Sequence, residues 1–127
     1  MHGFRLNHLY SRKEINAKVG GSMLEYLPCV GKKVVAGCFR LDINPDAPDV
    51  ILPGNGPRIK QTAQFFVEQK TAVPVFIKRR VSAWQYVGDY RVKRRTFKAK
   101  EIKKHAQRAR RNNVSSVIYL EHVGDGC

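Results

Sequence analysis

Apolar residues follow two rhythms along this chain, one alternating and one helical. In KKVVAGCFRL, Val35, Phe39 and Leu41 fall on one side of an extended chain and Val34, Ala36 and Cys38 on the other, predicting a strand over residues 34–41 that is buried on both faces. Ile59, Ala63, Phe66 and Val67 then recur at helical spacing through PRIKQTAQFFVEQK, and Pro57 suits a first helical position, so a helix is predicted over residues 58–69. Alternation returns in AVPVFIKRR, through Val73, Val75 and Ile77, and in WQYVGDYRV, where Trp84, Tyr86, Gly88, Tyr90 and Val92 share a face. The turn between them is short, which predicts an antiparallel hairpin with Pro74 near a strand start or edge. Ala99, Ile102, Ala106 and Ala109 make a narrow apolar stripe, predicting a helix over residues 97–111 that packs on one face and is wet on the other. Asn112 and Asn113 end it, and VSSVIYLEHV is a last strand with Val114, Ile118 and Leu120 on one face.

Punctuation completes the frame. Ser11 and Glu14 have capping-box spacing and Gly20 and Gly21 supply a stop, so a short helix runs over Arg12–Val19. Residues 42–57, DINPDAPDVILPGNGP, hold four prolines, two glycines and three aspartates, and predict a long loop kept ordered by the apolar triplet Val50, Ile51 and Leu52. Three short helices segregated from a mostly antiparallel set of strands predict an α+β domain whose sheet curls into a small, open, barrel-like shape. At 127 residues and 43% apolar composition, the expectation is a single domain with one core.

Charge changes this picture most. The chain carries 24 basic and 10 acidic side chains, a formal net charge of +14. Eleven of the basic residues crowd RVKRRTFKAKEIKKHAQRARR, residues 91–111, which holds one acid, Glu101. A merely solvated face mixes both signs, so this surface points to a polyanion. Charge alone does not separate ribosomal RNA, tRNA, duplex DNA and an anionic membrane. The candidate phosphate contacts are Lys78, Arg79 and Arg80 at the hairpin, then Arg91, Lys93, Arg94, Arg95, Lys98, Lys100, Lys103, Lys104, Arg108, Arg110 and Arg111.

Other chemistries find little support. Cys29, Cys38 and Cys127 are odd in number and widely spaced, and His2, His8, His105 and His122 are scattered, so neither a metal site nor a cofactor is expected, and Cys29 and Cys38 read as small buried hydrophobes. No apolar run approaches the roughly 20 residues that cross a bilayer, and no signal peptide is visible, so no membrane partner and an intracellular, reducing location are expected: cytoplasm or nucleoid in a bacterium, nucleus in a eukaryote. No HNH, PD-(D/E)xK, Ser/His/Asp or GxxxxGK pattern is present, and the acids of residues 42–49 lack the Glu-x-Lys partner of a metal nuclease. A binder is expected, with no catalytic residue.

At this point the residues resemble a family. VPVFIKRRVSAWQYVGDYRV is similar to the closing hairpin of the SRA (SET and RING associated, or YDG) domain, where a PVRVIR-like strand precedes Y-x-Y-D-G-L-Y-x-V, and GCFRLDINPDAPDVILPGNGP resembles that family's GGYEDDxDxGxxFxYTGSGG segment. The resemblance covers residues 34–92 in order. It implies a pseudo-barrel similar to the PUA fold that binds double-stranded DNA and flips a modified, 5-substituted cytosine into a pocket, as the reader module of a restriction or epigenetic system. By this likeness Phe39 falls at the first stacking tyrosine, Asp42 at the aspartate that accepts from the cytosine amine, and Gly54 and Gly56 at the glycines of YTGSGG, where the backbone meets the ligand closely. Leu52 replaces the second stacking aromatic, so Leu52, Ile51 or an aromatic from elsewhere, such as Trp84, completes the sandwich. Val87 stands at the D of YDG, with Asp89 after the glycine. These departures leave the accepted base open, and an aliphatic wall suits a larger substituent such as hydroxymethyl.

The resemblance also implies a fused or associated nuclease or other effector, this chain being one module of a longer protein. An RNA-binding PUA-type or ribosome-associated basic module would use the same charge and aromatic strand, and a nuclease subunit whose catalytic residues lie in a partner is a third reading. The bland readings make Phe39 a core aromatic, Trp84, Tyr86 and Tyr90 a barrel cover, and Asp42, Asn44, Asp46 and Asp49 turn formers.

Overall fold

The computed structural model describes residues 2–126; Met1 and Cys127 lie outside them. The chain opens with β1 (Leu9–Tyr10) and α1 (Arg12–Val19). α1 starts where it does because the Glu14 amide donates to Ser11 Oγ at 3.1 Å and the Ser11 amide donates back to Glu14 Oε1 at 2.8 Å. β2 (Cys29–Val30) and β3 (Lys33–Val34) form a small hairpin of their own, followed by β4 (Gly37–Phe39). β5 (Val50–Ile51) lies inside the proline-rich loop, and α2 (Pro57–Gln69), β6 (Val73–Arg80), β7 (Ala83–Thr96), α3 (Ala99–Ala109) and β8 (Val117–Gly124) complete the order.

The main sheet runs β4-β6-β7-β8-β5, with β1 paired to the start of β7. β4 and β6 are parallel and every other pair is antiparallel. The fold is α+β with three helices, as the pattern predicts, but the sheet does not close into a barrel: its outer strands, β4 and β5, are three and two residues long and bond only inward. The strand predicted over residues 34–41 is split between β3 and β4, and Leu41 is exposed. β7 runs four residues beyond the predicted end at Val92, so the first part of the basic stretch is strand, and α3 is two residues shorter at each end than predicted.

Both faces of the sheet are covered. One cluster joins Phe39, Val75, Ile77, Tyr90 and Ile118 to Ala63 and Phe66 of α2. The other joins Phe4, Ala36, Cys38, Phe76, Trp84 and Tyr86 to Ile15 of α1. The predicted single face of β7 is therefore divided: Trp84 and Tyr86 point one way and Tyr90 the other. The cause is a bulge, for Val75 pairs with Gly88 while Phe76 pairs with Tyr86, leaving Val87 as an extra residue that reverses the alternation. Gly88 takes φ 125 there, and a Cβ would stand 2.8 Å from the His122 ring. α3 contributes no buried residue, so its cations remain on the surface.

Candidate nucleic-acid interface

Two adjoining cavities open beside the proline-rich loop. The larger, about 580 Å³, is walled by the α1 start, the end of β4 and the β6–β7 tip; Arg12, Lys13, Arg40, Lys78 and Trp84 line it and no acidic side chain does. The second, about 410 Å³, is mainly apolar, with Leu52, Pro53, Gly54, Ile59 and Arg111 among its walls and the Arg58–Glu25 ion pair beside them. Leu24, Tyr26, Ile43 and Asn44 belong to both, so the two form one groove with a cationic half and an apolar half. Both volumes fall in the range of small-ligand sites, roughly 300–1,000 Å³.

Each wall is held by hydrogen bonds across long stretches of sequence. Arg12 Nη2 donates to the carbonyls of Ser22 and Glu25 at 2.9 and 2.7 Å, tying the segment before β2 to α1. Its guanidinium lies 5.2 Å from the Trp84 ring centre and Lys78 Nζ lies 5.7 Å from it, a pairing of cations with an aromatic face. Tyr26 donates its hydroxyl to the Ile59 carbonyl at 2.8 Å, and burial pushes its phenol well above the ordinary range. Asn44 is 4% exposed and accepts the Leu52 amide on Oδ1 at 2.7 Å. That bond fixes its amide orientation and leaves the Nδ2 donors without a protein acceptor among the described residues. Arg111 Nη1 bridges the carbonyls of Ile43 and Leu52 at 2.9 and 2.7 Å, and partial burial lowers its affinity for a proton. Ser115 Oγ donates to the Pro53 and Gly54 carbonyls at 3.1 and 2.8 Å.

The residues expected in the base pocket are dispersed. Leu52 and Gly54 line the apolar half and Trp84 the cationic half. Gly56 is instead the N-cap of α2. Phe39 corrects the expected stacking role: it is 1% exposed, packed in the α2-side core 6.5 Å from the Tyr26 ring, and lines neither half of the groove. Asp42 is corrected too. Its carboxylate is 60% exposed, paired with Arg40 at 2.5 Å and held below the ordinary carboxylate range by that hydrogen bond, and it lines neither half of the groove but a shelf with Arg79 and Arg80 that adjoins the cationic half at Arg40, Lys78 and Val81. The YDG-like acid, Asp89, is a fold pin that accepts Tyr86 Oη at 2.8 Å and contacts His2 Nε2 at 2.9 Å.

The cations also divide. Arg91 pairs with Glu121, Arg94 with Glu101, Arg79 with the side-chain Oε1 of Gln85 and Arg95 with that of Gln64. Arg108 is committed to Asp46, and Arg111 is an internal staple rather than a free phosphate contact. The side chains of Arg80, Lys93, Lys98, Lys100, Lys103, Lys104 and Arg110 make no ion pair or hydrogen bond to a described residue and are all exposed. Arg12, Tyr26 and Asn44 were missed from the sequence. Tyr26 sits in a stretch without periodicity, and Asn44 before Pro45 reads as an ordinary turn residue.

A family model described as "Domain of unknown function (DUF6697)" matches residues 9–123. No curated protein matches the chain. Among solved structures, a crystal structure of KRYPTONITE in complex with mCHG DNA and SAH superposes with a TM-score of 0.61 at 13% identity, covering 98% of this chain and 33% of that one. The structure of a SUVH5 SRA–hemimethylated CG DNA complex superposes with a TM-score of 0.60 at 14% identity, covering 95% of this chain and 89% of that one. The chain thus spans about a third of the KRYPTONITE chain. At these identities the likeness is one of fold, and the fold is SRA-like.

Proposed function

The chain belongs to the family described as Domain of unknown function (DUF6697), and from its SRA-like fold we propose that it binds double-stranded DNA and reads a 5-substituted cytosine swung out of the duplex. The carrying observation is the two-part groove, an acid-free cationic cavity continuous with an apolar pocket at Tyr26 and Asn44. The methylated DNA held by both structural neighbours supports the same reading. Extrusion needs a flat wall for the base, polar groups for its Watson–Crick edge and cations for the distorted backbone. Tyr26 and Leu52 supply the walls, with Gly54 beside them. The Asn44 Nδ2 donors suit cytosine O2 or N3, both acceptors. Lys13, Arg40 and Lys78 take the neighbouring phosphates, Arg12 being held by the Ser22 and Glu25 carbonyls, and the unpaired lysines of α3 take phosphates farther along.

In this reading the chain binds and does not cut. Any cleavage or signalling belongs to a fused or partner effector such as a nuclease, and the place of work is wherever the DNA lies, nucleoid or nucleus.

Anisotropy with duplexes differing at one cytosine, unmodified, methylated or hydroxymethylated, tests the reading, with 2-aminopurine beside it reporting extrusion. One modified duplex should bind at least about tenfold tighter, and Asn44→Ala should erase the preference. Equal affinity for all of them, with no 2-aminopurine response, rejects it. Displacement of the duplex by structured RNA at matched salt would favour an RNA-binding module instead.

A further inference from the structure

We infer that Phe97 is a stacking platform for a second, unpaired nucleobase outside the groove, an inference that rests on the nucleic-acid reading above. Every other Phe, Tyr and Trp of the chain is buried or half-buried, whereas Phe97 is 63% exposed. It stands on the most cationic part of the surface, at the junction of β7 and α3. The Arg95 guanidinium lies 4.6 Å from the ring centre and is itself held by Gln64 Oε1 at 2.6 Å, so one face of the ring is backed by a fixed cation. Phe97 and Arg95 both line a shelf of about 210 Å³, with Lys60, Gln64, Ser115 and Ser116 as its other polar walls and no acid among them. Ser115 is also the residue that holds the Gly54 carbonyl, so shelf and base pocket meet at one wall.

A flat apolar face backed by a guanidinium, flanked by the exposed Lys98 and Lys100, is the arrangement that stacks a base without reading its edge. The bland account is a hydrophobic staple, with Phe97 just before the Lys98 N-cap packing on Ile102 four positions into the helix. A staple buries its ring. The degree of exposure found here leaves the stacking face in water.

The two accounts separate by substitution. Phe97→Leu keeps an apolar side chain for a staple and removes the π face; Phe97→Trp keeps both. Affinities are measured on a single strand, a blunt duplex with one modified cytosine, and the same duplex with an unpaired overhang. The Leu variant should lose roughly five- to a hundred-fold wherever an unpaired base is offered, while Trp binds as tightly as wild type. The salt slope should stay unchanged, because stacking releases no counterions. Loss confined to the single strand and overhang assigns the platform to neighbouring single-stranded nucleic acid; loss on the blunt duplex assigns it to the orphaned partner of the extruded base. Wild-type affinity of the Leu variant on all three probes, with modified-base preference intact, overturns this inference alone. A Phe97-dependent affinity without any preference for modified cytosine would sustain it and remove the reader function.

Discussion

Arg108 clasps Asp46 through parallel hydrogen bonds, Nη2 to Oδ1 at 2.7 Å and Nε to Oδ2 at 2.8 Å, joining the end of α3 to the proline-rich loop across 62 residues. The guanidinium holds the Asp46 carboxyl below its ordinary range. A carboxylate with a depressed folded pKa stabilises above its unfolded value, near 3.9, and that contribution fades as pH falls through the folded pKa. The pair is part-exposed, at 61% for Arg108 and 32% for Asp46, so solvent screens it and its worth is small. Asp46→Asn should lower thermal stability at pH 7 by that small amount, with the difference shrinking as pH falls below about 4. A constant difference between the two proteins across the whole range would remove the ion pair from the account.

Arg111 makes the opposite kind of contact. Its fork holds two backbone carbonyls of the groove wall, and neither Met nor Lys reproduces it. Arg111→Met should cost about 1–3 kcal/mol through the stranded carbonyls, read as a lower urea midpoint. It should also weaken the modified-base preference while leaving the salt slope of DNA binding nearly intact. A slope reduced by about 0.9 with unchanged stability would return Arg111 to the phosphate contacts.

The elements were legible in the chain because each rests on local chemistry: the Ser11–Glu14 box, Pro57 at a helix start, and alternation through Val73, Val75 and Ile77. The faces were less so. A single extra residue at Val87 reverses the side-chain alternation of β7, and nothing short of the pairing register displays it. The groove was legible in part, since Leu52, Gly54 and Trp84 line it. Phe39 went to the core because β4 sits between two covered faces, and Asp42, one turn beyond the strand end, finds its charge partner two residues away in Arg40. Tyr26 and Asn44 reach the groove by hydrogen bonds spanning 33 and 8 residues, beyond any periodic signal.

Those placements give Asp42 and Phe39 testable signatures. Asp42→Ala removes an exposed acid from a cationic shelf and releases Arg40. Stability should change by no more than about 0.5 kcal/mol, and affinity for unmodified duplex should rise at low salt. A base-reading carboxylate would give the reverse, a selective loss on modified DNA. Phe39→Ala instead opens the core and should cost about 3–5 kcal/mol, visible as a collapse of the thermal midpoint before any binding is measured.

Lys98 offers the sharpest contest between folding and binding. It occupies the N-cap of α3 with φ −62 and ψ 123, the extended geometry a cap requires, yet its side chain makes no capping bond. Its charge and that of Lys100 stand at the positive end of the helix dipole, where cations are unfavourable. Ser at this position would complete S-x-x-E with Glu101, the arrangement α1 already uses, with no backbone change. Glu101 is at present engaged by Tyr119 at 2.7 Å and Arg94 at 3.5 Å, which limits the gain to the hydroxyl's own bond. Lys98→Ser should therefore raise stability by about 0.5–1 kcal/mol, measured by thermal melts, and lower the salt slope of DNA binding by about 0.9. Improved melting with no change in the slope would make Lys98 a cost without a ligand and confine the DNA contact to the groove.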